Sequence, residues 1–157
     1  MIISIIMIIA IVGIATYVIV HFIGLGKATQ LGLFYQDFQD SVDDVWNSAI
    51  TNKVFSFNLP TEIKSVCFGD LNGRGFDTKY EEEYEELKEF SSGFDRENKN
   101  MFLYPVGKAD EFAYLNVEHV DLSGIENGFS CFDVRSGKVE IRLEKAEYDS
   151  EVRVGGK

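Results

Sequence analysis

The first 26 residues of the chain contain no charged side chain, and Lys27 is the first residue that carries one. As a helix this segment would measure roughly 39 Å at ~1.5 Å per residue, which exceeds the ~30 Å hydrocarbon thickness of a bilayer. A helix so uniformly apolar is not stable alone in water. Residues 1–26 therefore predict a transmembrane helix, the core of an assembly that replaces the membrane, or both at different times.

The apolar segment is rich in β-branched residues, with ten isoleucines and three valines. In lipid or in a packed bundle its backbone polar groups must be satisfied within the segment, which favours a helix over a strand. Small residues such as Ala10 and Gly13 allow a second helix to approach closely. The residues expected to bundle with neighbouring helices are Ile2, Ile5, Ile6, Ile9, Val12, Gly13, Ile19 and Ile23.

The apolar segment does not read as a cleaved secretion signal. A signal peptide has a basic start and an apolar core of ~7–15 residues, whereas this stretch begins apolar and is about twice too long. The remaining 131 of the 157 residues carry all the charge, with 26 acids against 15 bases and a net charge of −11. Such an acidic domain disfavours nucleic acid and anionic lipid as partners, and its place is expected to be extracytoplasmic.

Residues 27–52 predict an amphipathic continuation of the same helix. Apolar residues recur there at steps of three and four, and acids and glutamines fill the other face. Glycines between 24 and 32 could bend the helix without ending it, so one helix is expected from about residue 1 to about residue 52. Its stripe, expected to pack on a sheet, is Leu31, Phe34, Phe38, Val42, Val45 and Trp46, with Ala49 and Ile50.

The rest of the chain, residues 53–157, predicts a β-rich globular domain. Short aromatic and β-branched runs separated by Gly, Asn, Asp or Ser are typical of strands. The predicted strands are 54–58, 63–68, 101–106, 112–120, 129–134, 138–144 and 151–154, with a hairpin turn at 135–137 and a helix at 78–90. The expected class is α+β, a long N-terminal helix packed at its distal half on a small antiparallel sheet.

Two cysteines, Cys67 and Cys131, both lie in predicted strands. Two cysteines allow one disulfide, which could contribute roughly 4 kcal/mol in an oxidising compartment. The alternative is a pair of buried free thiols, because cysteine is often a small apolar core residue.

One loop invites a test for calcium. Asp70, Asn72, Gly75 and Glu81 fall at positions 1, 3, 6 and 12 of an EF-hand-like loop. Position 5 is Arg74, a cation where a ligand belongs, and no helical pattern precedes the loop. A strand-to-loop turn followed by a solvated acidic helix is the favoured interpretation, so neither a metal nor a cofactor is expected.

Catalysis has no visible basis in the sequence. The chain has two histidines, His21 and His119, and neither lies near a cysteine or belongs to a Ser-His-Asp set. No phosphate-binding loop is apparent. The chain is therefore predicted not to be an enzyme.

The plan of Met1 to Asn52 carries a resemblance to a known family. A wholly apolar N-terminal helix that becomes amphipathic and then packs under a small β-rich domain resembles a mature type IV pilin, and more the archaeal than the bacterial proteins. Ile5 stands where bacterial major pilins carry a glutamate, as is usual for the archaeal relatives. The basic leader that a prepilin peptidase removes is not part of the sequence.

The resemblance implies a structural subunit of an extracellular, adhesive filament at the cell surface. Such a subunit is anchored in the membrane before assembly, is handled by secretion and assembly machinery, and forms a homopolymer with copies of itself.

A second interpretation makes the helix only a tether, and the domain a membrane-anchored extracytoplasmic binding or accessory module. The tether predicts a flexible joint at residues 24–32 and a concave aromatic or polar patch on the sheet. The filament predicts a rigid helix that is continuous from the apolar half into the domain.

Overall fold

The computed structural model describes residues 2–72, 78–91, 98–125 and 128–155; within the first helix, the side chains of residues 2–4, 6 and 20–25 lie outside the described set. The helices are α1 (Ile2–Trp46), α2 (Glu81–Phe90) and α3 (Val106–Ala109), with 3₁₀ turns at Thr78–Tyr80 and Asp110–Ala113. The strands are β1 (Thr51–Asn58), β2 (Ser65–Gly69), β3 (Met101–Tyr104), β4 (Tyr114–Leu115), β5 (Val120–Asp121), β6 (Phe129–Asp133), β7 (Lys138–Lys145) and β8 (Val152–Gly155).

The strands form two four-stranded sheets. The first has the order β1-β7-β8-β5 and the second the order β4-β3-β2-β6. Among the described strands, β5 and β8 pair in parallel and the other neighbours are antiparallel. The α+β class with antiparallel-rich sheets is as predicted, but the expectation of one sheet was wrong. Alternation predicts strands, not which strands share a sheet.

The helix α1 ends at Trp46, about six residues before the predicted end. The Asn47 and Ser48 side chains donate hydrogen bonds to the carbonyls of Asp43 and Val45, which closes the last turn with local polar bonds. Ile50, assigned to the buried stripe, is instead exposed beyond the helix end. The β-rich part correspondingly begins at Thr51, where pairing with β7 starts, rather than at residue 53.

Two predicted strands are much shorter than expected. The first, 101–106, ends at Tyr104 because Pro105 has no N–H to donate, and the chain continues into α3. The second, 112–120, is mostly not a strand: it contains the end of a 3₁₀ turn, the two residues of β4 and the first residue of β5. Predicted helix 78–90 matches a 3₁₀ turn followed by α2.

The hairpin between β6 and β7 forms at the predicted turn. Arg135 and Lys138 exchange both backbone hydrogen bonds, at 2.8 and 3.0 Å. Between them Ser136 and Gly137 have φ values of 52° and 73°, the left-handed pair that a two-residue hairpin needs. This turn carries the chain from one sheet to the other.

Candidate functional site

The most unusual surface of the molecule is the apolar rod, by which we mean residues 7–19 of α1. Every residue of the rod is exposed. Large apolar side chains in and next to it are 43–72% exposed, and they are Ile5, Met7, Ile8, Ile9, Ile11, Val12, Ile14, Tyr17, Val18 and Ile19. A helix that is apolar on all sides is stable only where something covers all sides.

The predicted bundling residues lie on this rod or next to it. Ile5, Ile9, Val12 and Ile19 are exposed, and a Cβ added at Gly13 would meet nothing within 4 Å. The side chains of Ile2, Ile6 and Ile23, which were assigned the same role, lie outside the described set.

The hydroxyl of Thr16 in the rod is satisfied within the helix. Thr16 Oγ1 donates a hydrogen bond to the Val12 carbonyl at 2.8 Å, so this side chain does not require water.

Within those parts of the helices whose side chains the structure describes, no stretch is long and apolar enough to span a membrane.

The distal part of α1, which we call the anchor (residues 31–46), has one buried face and one exposed face. It carries the predicted packing stripe, with Leu31, Phe34, Phe38, Val42 and Val45 buried and Trp46 packed partly against the same core.

Phe38 is the centre of the anchor. Its ring centroid lies 6.2 Å from Phe34, 5.3 Å from Phe57 of β1 and 5.5 Å from Phe68 of β2. These separations are in the range where tilted and edge-on aromatic pairs attract. One side chain of α1 therefore contacts strands of both sheets.

Where α1 enters the domain, an ion pair marks the boundary. Lys27, the first charged residue, pairs with Glu62 in the loop between β1 and β2. The hydrogen bond from Lys27 holds the pKa of the Glu62 carboxyl below its usual value. Further along, Gly32 faces the Phe112 ring, which lies 3.6 Å from where a Cβ would be.

Along the anchor, side chains of α1 hydrogen-bond the segment before β5. The Tyr35 hydroxyl donates to the Asn116 carbonyl at 2.6 Å, and burial followed by the nearby Glu118 charge raises the pKa of that hydroxyl. Gln39 accepts from the Glu118 N–H at 2.9 Å and donates to the carbonyl of the same residue at 3.4 Å. These bonds hold the helix to main-chain atoms of the segment before β5.

The last residue of α1 is held by three contacts. The Trp46 ring stacks on His119 with centroids 3.8 Å apart and a 7° angle, and its Nε1 donates to the Ser150 carbonyl at 3.0 Å. Lys145 donates from its ammonium group to the Trp46 carbonyl, a favourable position for a cation at a helix C-terminus. The sequence did not predict these three contacts, because the residues that make them are far apart in the chain and no local pattern links them.

The disulfide is present. Cys67 and Cys131 are bonded, they are directly opposite one another on β2 and β6, and both are buried. The alternative of two free thiols was therefore wrong. The bond ties neighbouring strands of the second sheet.

The calcium candidates do not assemble into a site. Asp70 Oδ1 accepts a hydrogen bond from the Asn72 N–H at 2.8 Å, which is a local turn, and Glu81 begins α2. Gly75 and Arg74 fall in residues 73–77, outside the described residues. Elsewhere in the described chain, no three His, Cys, Asp or Glu side chains come together as a metal site.

The acids of α2, predicted to form a solvated face, are exposed or half-buried, and two of them also have structural roles. Glu82 accepts a hydrogen bond from the Tyr104 hydroxyl at 3.0 Å, and Glu86 accepts one from the Val106 N–H at 3.1 Å. Burial, then the Glu82 contact, raises the pKa of Tyr104 to about 12. These bonds dock α2 on β3 and α3.

An open groove of about 640 Å³ runs beside β6 and β7. Its lining is polar and mixed in charge, with Tyr80, Ser130, Cys131, Phe132, Asp133, Arg135, Lys138 and Glu140. The tether interpretation predicted a concave aromatic or polar patch on the sheet, and this groove is the candidate for that patch.

Comparison with the models of known protein families, with curated proteins and with solved structures gave no match for this chain.

Proposed function

We propose that the protein is a structural subunit of an extracellular type IV pilus-like filament, in which the apolar rods of many copies bundle in the core and the β-rich domains lie outside. One observation carries the proposal: a rod that is exposed and apolar on all sides extends from a helix whose other half is packed in a globular domain.

The free energy of burying the rod favours its being covered by other copies or by lipid over its staying in water. Ten large apolar side chains in or beside the rod are exposed, and at about 1.5–3 kcal/mol each their burial would be worth roughly 15–30 kcal/mol. A domain of this size is stable by only ~5–15 kcal/mol. We infer that a membrane holds the rod before assembly and that neighbouring rods hold it afterwards.

The attachment of the helix favours the filament over the tether. The backbone of α1 is helical through residues 24–32, where the tether requires a flexible joint. The anchor is fixed at its entrance by Lys27 and at its end by Trp46. A rod held in this way can place its domain at a defined position relative to neighbours, as a helical polymer requires.

The test is assembly after detergent removal. The full chain, purified in detergent, should form thin filaments visible in negative stain when the detergent is dialysed away, and should sediment. Ile9→Lys places a cation on the rod and should abolish sedimentation of filaments without unfolding the domain. Tyr148→Lys adds the same charge at a residue of the domain that is 92% exposed, and should assemble normally.

The proposal fails if the wild-type chain stays monomeric in lipid or detergent-free buffer under all conditions tested. It also fails if Ile9→Lys and wild type assemble equally, because the rod would then not be the contact.

The groove beside β6 and β7 favours a second candidate, a membrane-anchored binding module. Its two acids and two bases, Asp133, Glu140, Arg135 and Lys138, suit a polar ligand that carries both charges, such as a short peptide. The paired substitutions Arg135→Ala and Lys138→Ala should abolish such binding in a peptide-array assay and leave filament formation unchanged, which separates the two candidates.

A further inference from the structure

The free edge of β1 differs from the other sheet edges of the described chain. Exposed edges template pairing with other chains, and proteins usually shorten them or charge them. The edge strands β4 and β5 have two residues each, and β6 has five and ends at Asp133. By contrast β1 has eight residues, pairs with β7 in an unbroken register, and contains one charge, Lys53.

The hydrogen-bond alternation shows which groups of β1 point outward. The Leu59 N–H, just past β1, donates to the Gly137 carbonyl at 2.9 Å, in register with the ladder to β7. In an antiparallel ladder the bonded residues alternate, so Thr51, Lys53, Phe55 and Phe57 bond β7. The backbone groups of Asn52, Val54, Ser56 and Asn58 therefore face the open side.

These four outward residues are exposed and uncharged. The one charge of the strand does not guard the edge in the way that an edge lysine usually does. The Lys53 ammonium instead lies over the Phe55 ring, 4.9 Å from its centroid, along the strand. Pairing of this edge therefore requires no buried charge.

We propose that β1 of a second copy of this chain pairs with β1 in antiparallel fashion across a two-fold axis. In the register that uses all four outward residues, Asn52 lies opposite Asn58 of the second copy and Val54 opposite its Ser56. The pairing forms up to about eight main-chain hydrogen bonds. It joins the first sheet of one copy and the first sheet of the other into a single continuous sheet. Phe55 then lies opposite Phe55 of the second copy.

The charges of β7 select this register. On the solvent face Glu144, Arg142, Glu140 and Lys138 stand beside the four outward residues in that order. The proposed register puts Glu144 in one row with Lys138 of the second copy. It likewise aligns Arg142 with Glu140 of the second copy, so each row ends in opposite charges with short neutral residues between.

In a shifted register, Val54 would lie opposite Val54 of the second copy, and the charges would no longer be complementary. Glu144 would share a row with Glu140 of the second copy, and the two Arg142 side chains would share another. The β7 strands would be roughly 14 Å apart, so the charges select a register more than they supply affinity.

The symmetry determines what the pairing connects. A two-fold axis perpendicular to the sheet puts both α1 helices on the same face and reverses their in-plane directions. Neighbours within one polar filament all point the same way. The pairing therefore joins copies from two filaments that run in opposite directions, a consequence that rests on the proposed filament.

Cysteine cross-linking in detergent tests the contact while the rod is sheathed. Position 55 is the one on β1 that faces itself without backbone bonds, the same kind of directly opposed pair that holds Cys67 and Cys131. Full-length Phe55→Cys should oxidise to a disulfide-linked dimer on a non-reducing gel. Val54→Cys and Lys53→Cys, one and two positions away, should stay monomeric. Preferential cross-linking of Val54→Cys would overturn the register, and failure of all three variants to cross-link would overturn the contact.

Proline substitution tests the hydrogen bonds. Val54→Pro removes an N–H that faces the open side, so it leaves the β1–β7 ladder intact and should abolish the dimer measured by light scattering in detergent. Val54→Thr keeps the N–H and should retain the dimer. After detergent removal, Val54→Pro should give single filaments where wild type gives bundles.

Failure of the two proposals is distinguishable. A wild-type chain that dimerises in detergent but forms no filament would sink the filament and keep the edge contact. Filaments that bundle equally with Val54→Pro, from a chain monomeric in detergent, would sink the edge contact and keep the filament.

Discussion

The two halves of α1 belong to one backbone helix but have opposite surroundings. From 7 to 19 every residue is exposed, whereas in the anchor Phe38 and Val42 have no exposed surface at all. Both halves are rich in large apolar residues. The difference lies in what covers them: the domain covers the anchor in the same chain, and the rod must find its cover elsewhere.

The two halves of α1 should serve different purposes, the anchor in folding and the rod in assembly. The anchor joins the two sheets through its aromatic contacts, so its residues determine the stability of the domain. The large apolar side chains of the rod are exposed, so they should matter little for the stability of the domain and much for association. Substitutions in the two halves should therefore have effects that do not overlap.

The largest expected effect is in the anchor. Phe38→Ala should lower the free energy of unfolding by about 3–5 kcal/mol, because it leaves a cavity between α1 and both sheets. Ile9→Ala, in the rod, should change it by less than about 0.5 kcal/mol. Urea titration of the detergent-held chain, followed by Trp46 fluorescence, measures both. Similar losses for the two variants would contradict the separation.

Loss of the disulfide should also affect the domain alone. Replacing Cys67 and Cys131 together by alanine should cost about 2–4 kcal/mol, since the bond closes a loop with a sequence separation of 64. The double variant should still assemble below its lowered Tm. Light scattering after detergent removal, compared with thermal unfolding by circular dichroism, checks both halves of this expectation.

A smaller effect is expected along the side of the anchor. Gln39→Ala removes the two hydrogen bonds to the Glu118 backbone and should cost about 0.5–1.5 kcal/mol. Amide hydrogen exchange should quicken at Glu118 and stay unchanged at Ile141 in the core. Unchanged exchange at Glu118 would mean that this contact does not hold α1 to the domain.

The smallest effect is expected at the entrance, where Lys27 meets Glu62. The pKa of Glu62 is lowered in the folded chain, so its contribution is present above the unfolded pKa and is lost as pH falls through the folded one. Wild type should therefore lose slightly more stability than Glu62→Gln on acidification from neutral pH to below about 4. Identical pH profiles would show that the pair does not stabilise the fold.

The sequence anticipated features with local causes. The three-and-four spacing predicted the stripe of the anchor, alternation predicted β7, and Ser136-Gly137 predicted its hairpin. The helix end was misplaced because apolar residues such as Ile50 continue the pattern past the point where Asn47 and Ser48 close the last turn.

Features that depend on distant residues could not be read from the chain. The division into two sheets depends on which strands meet, and the Trp46–His119 stack joins residues with no common local pattern. The apolar N-terminal segment could be predicted from the sequence because it depends on composition alone. The outward groups of β1 required the observed register, since sequence alone does not say which edge stays open.

Helical reconstruction from electron cryomicroscopy of the chain after detergent removal shows whether the rods form the core of a filament. We expect a filament whose centre is a bundle of α1 helices, with residues 7–19 of each copy covered by rods of its neighbours and the β-rich domains outside. Density that places the domains in the core with the rods uncovered, or that shows only single copies in lipid, would contradict it.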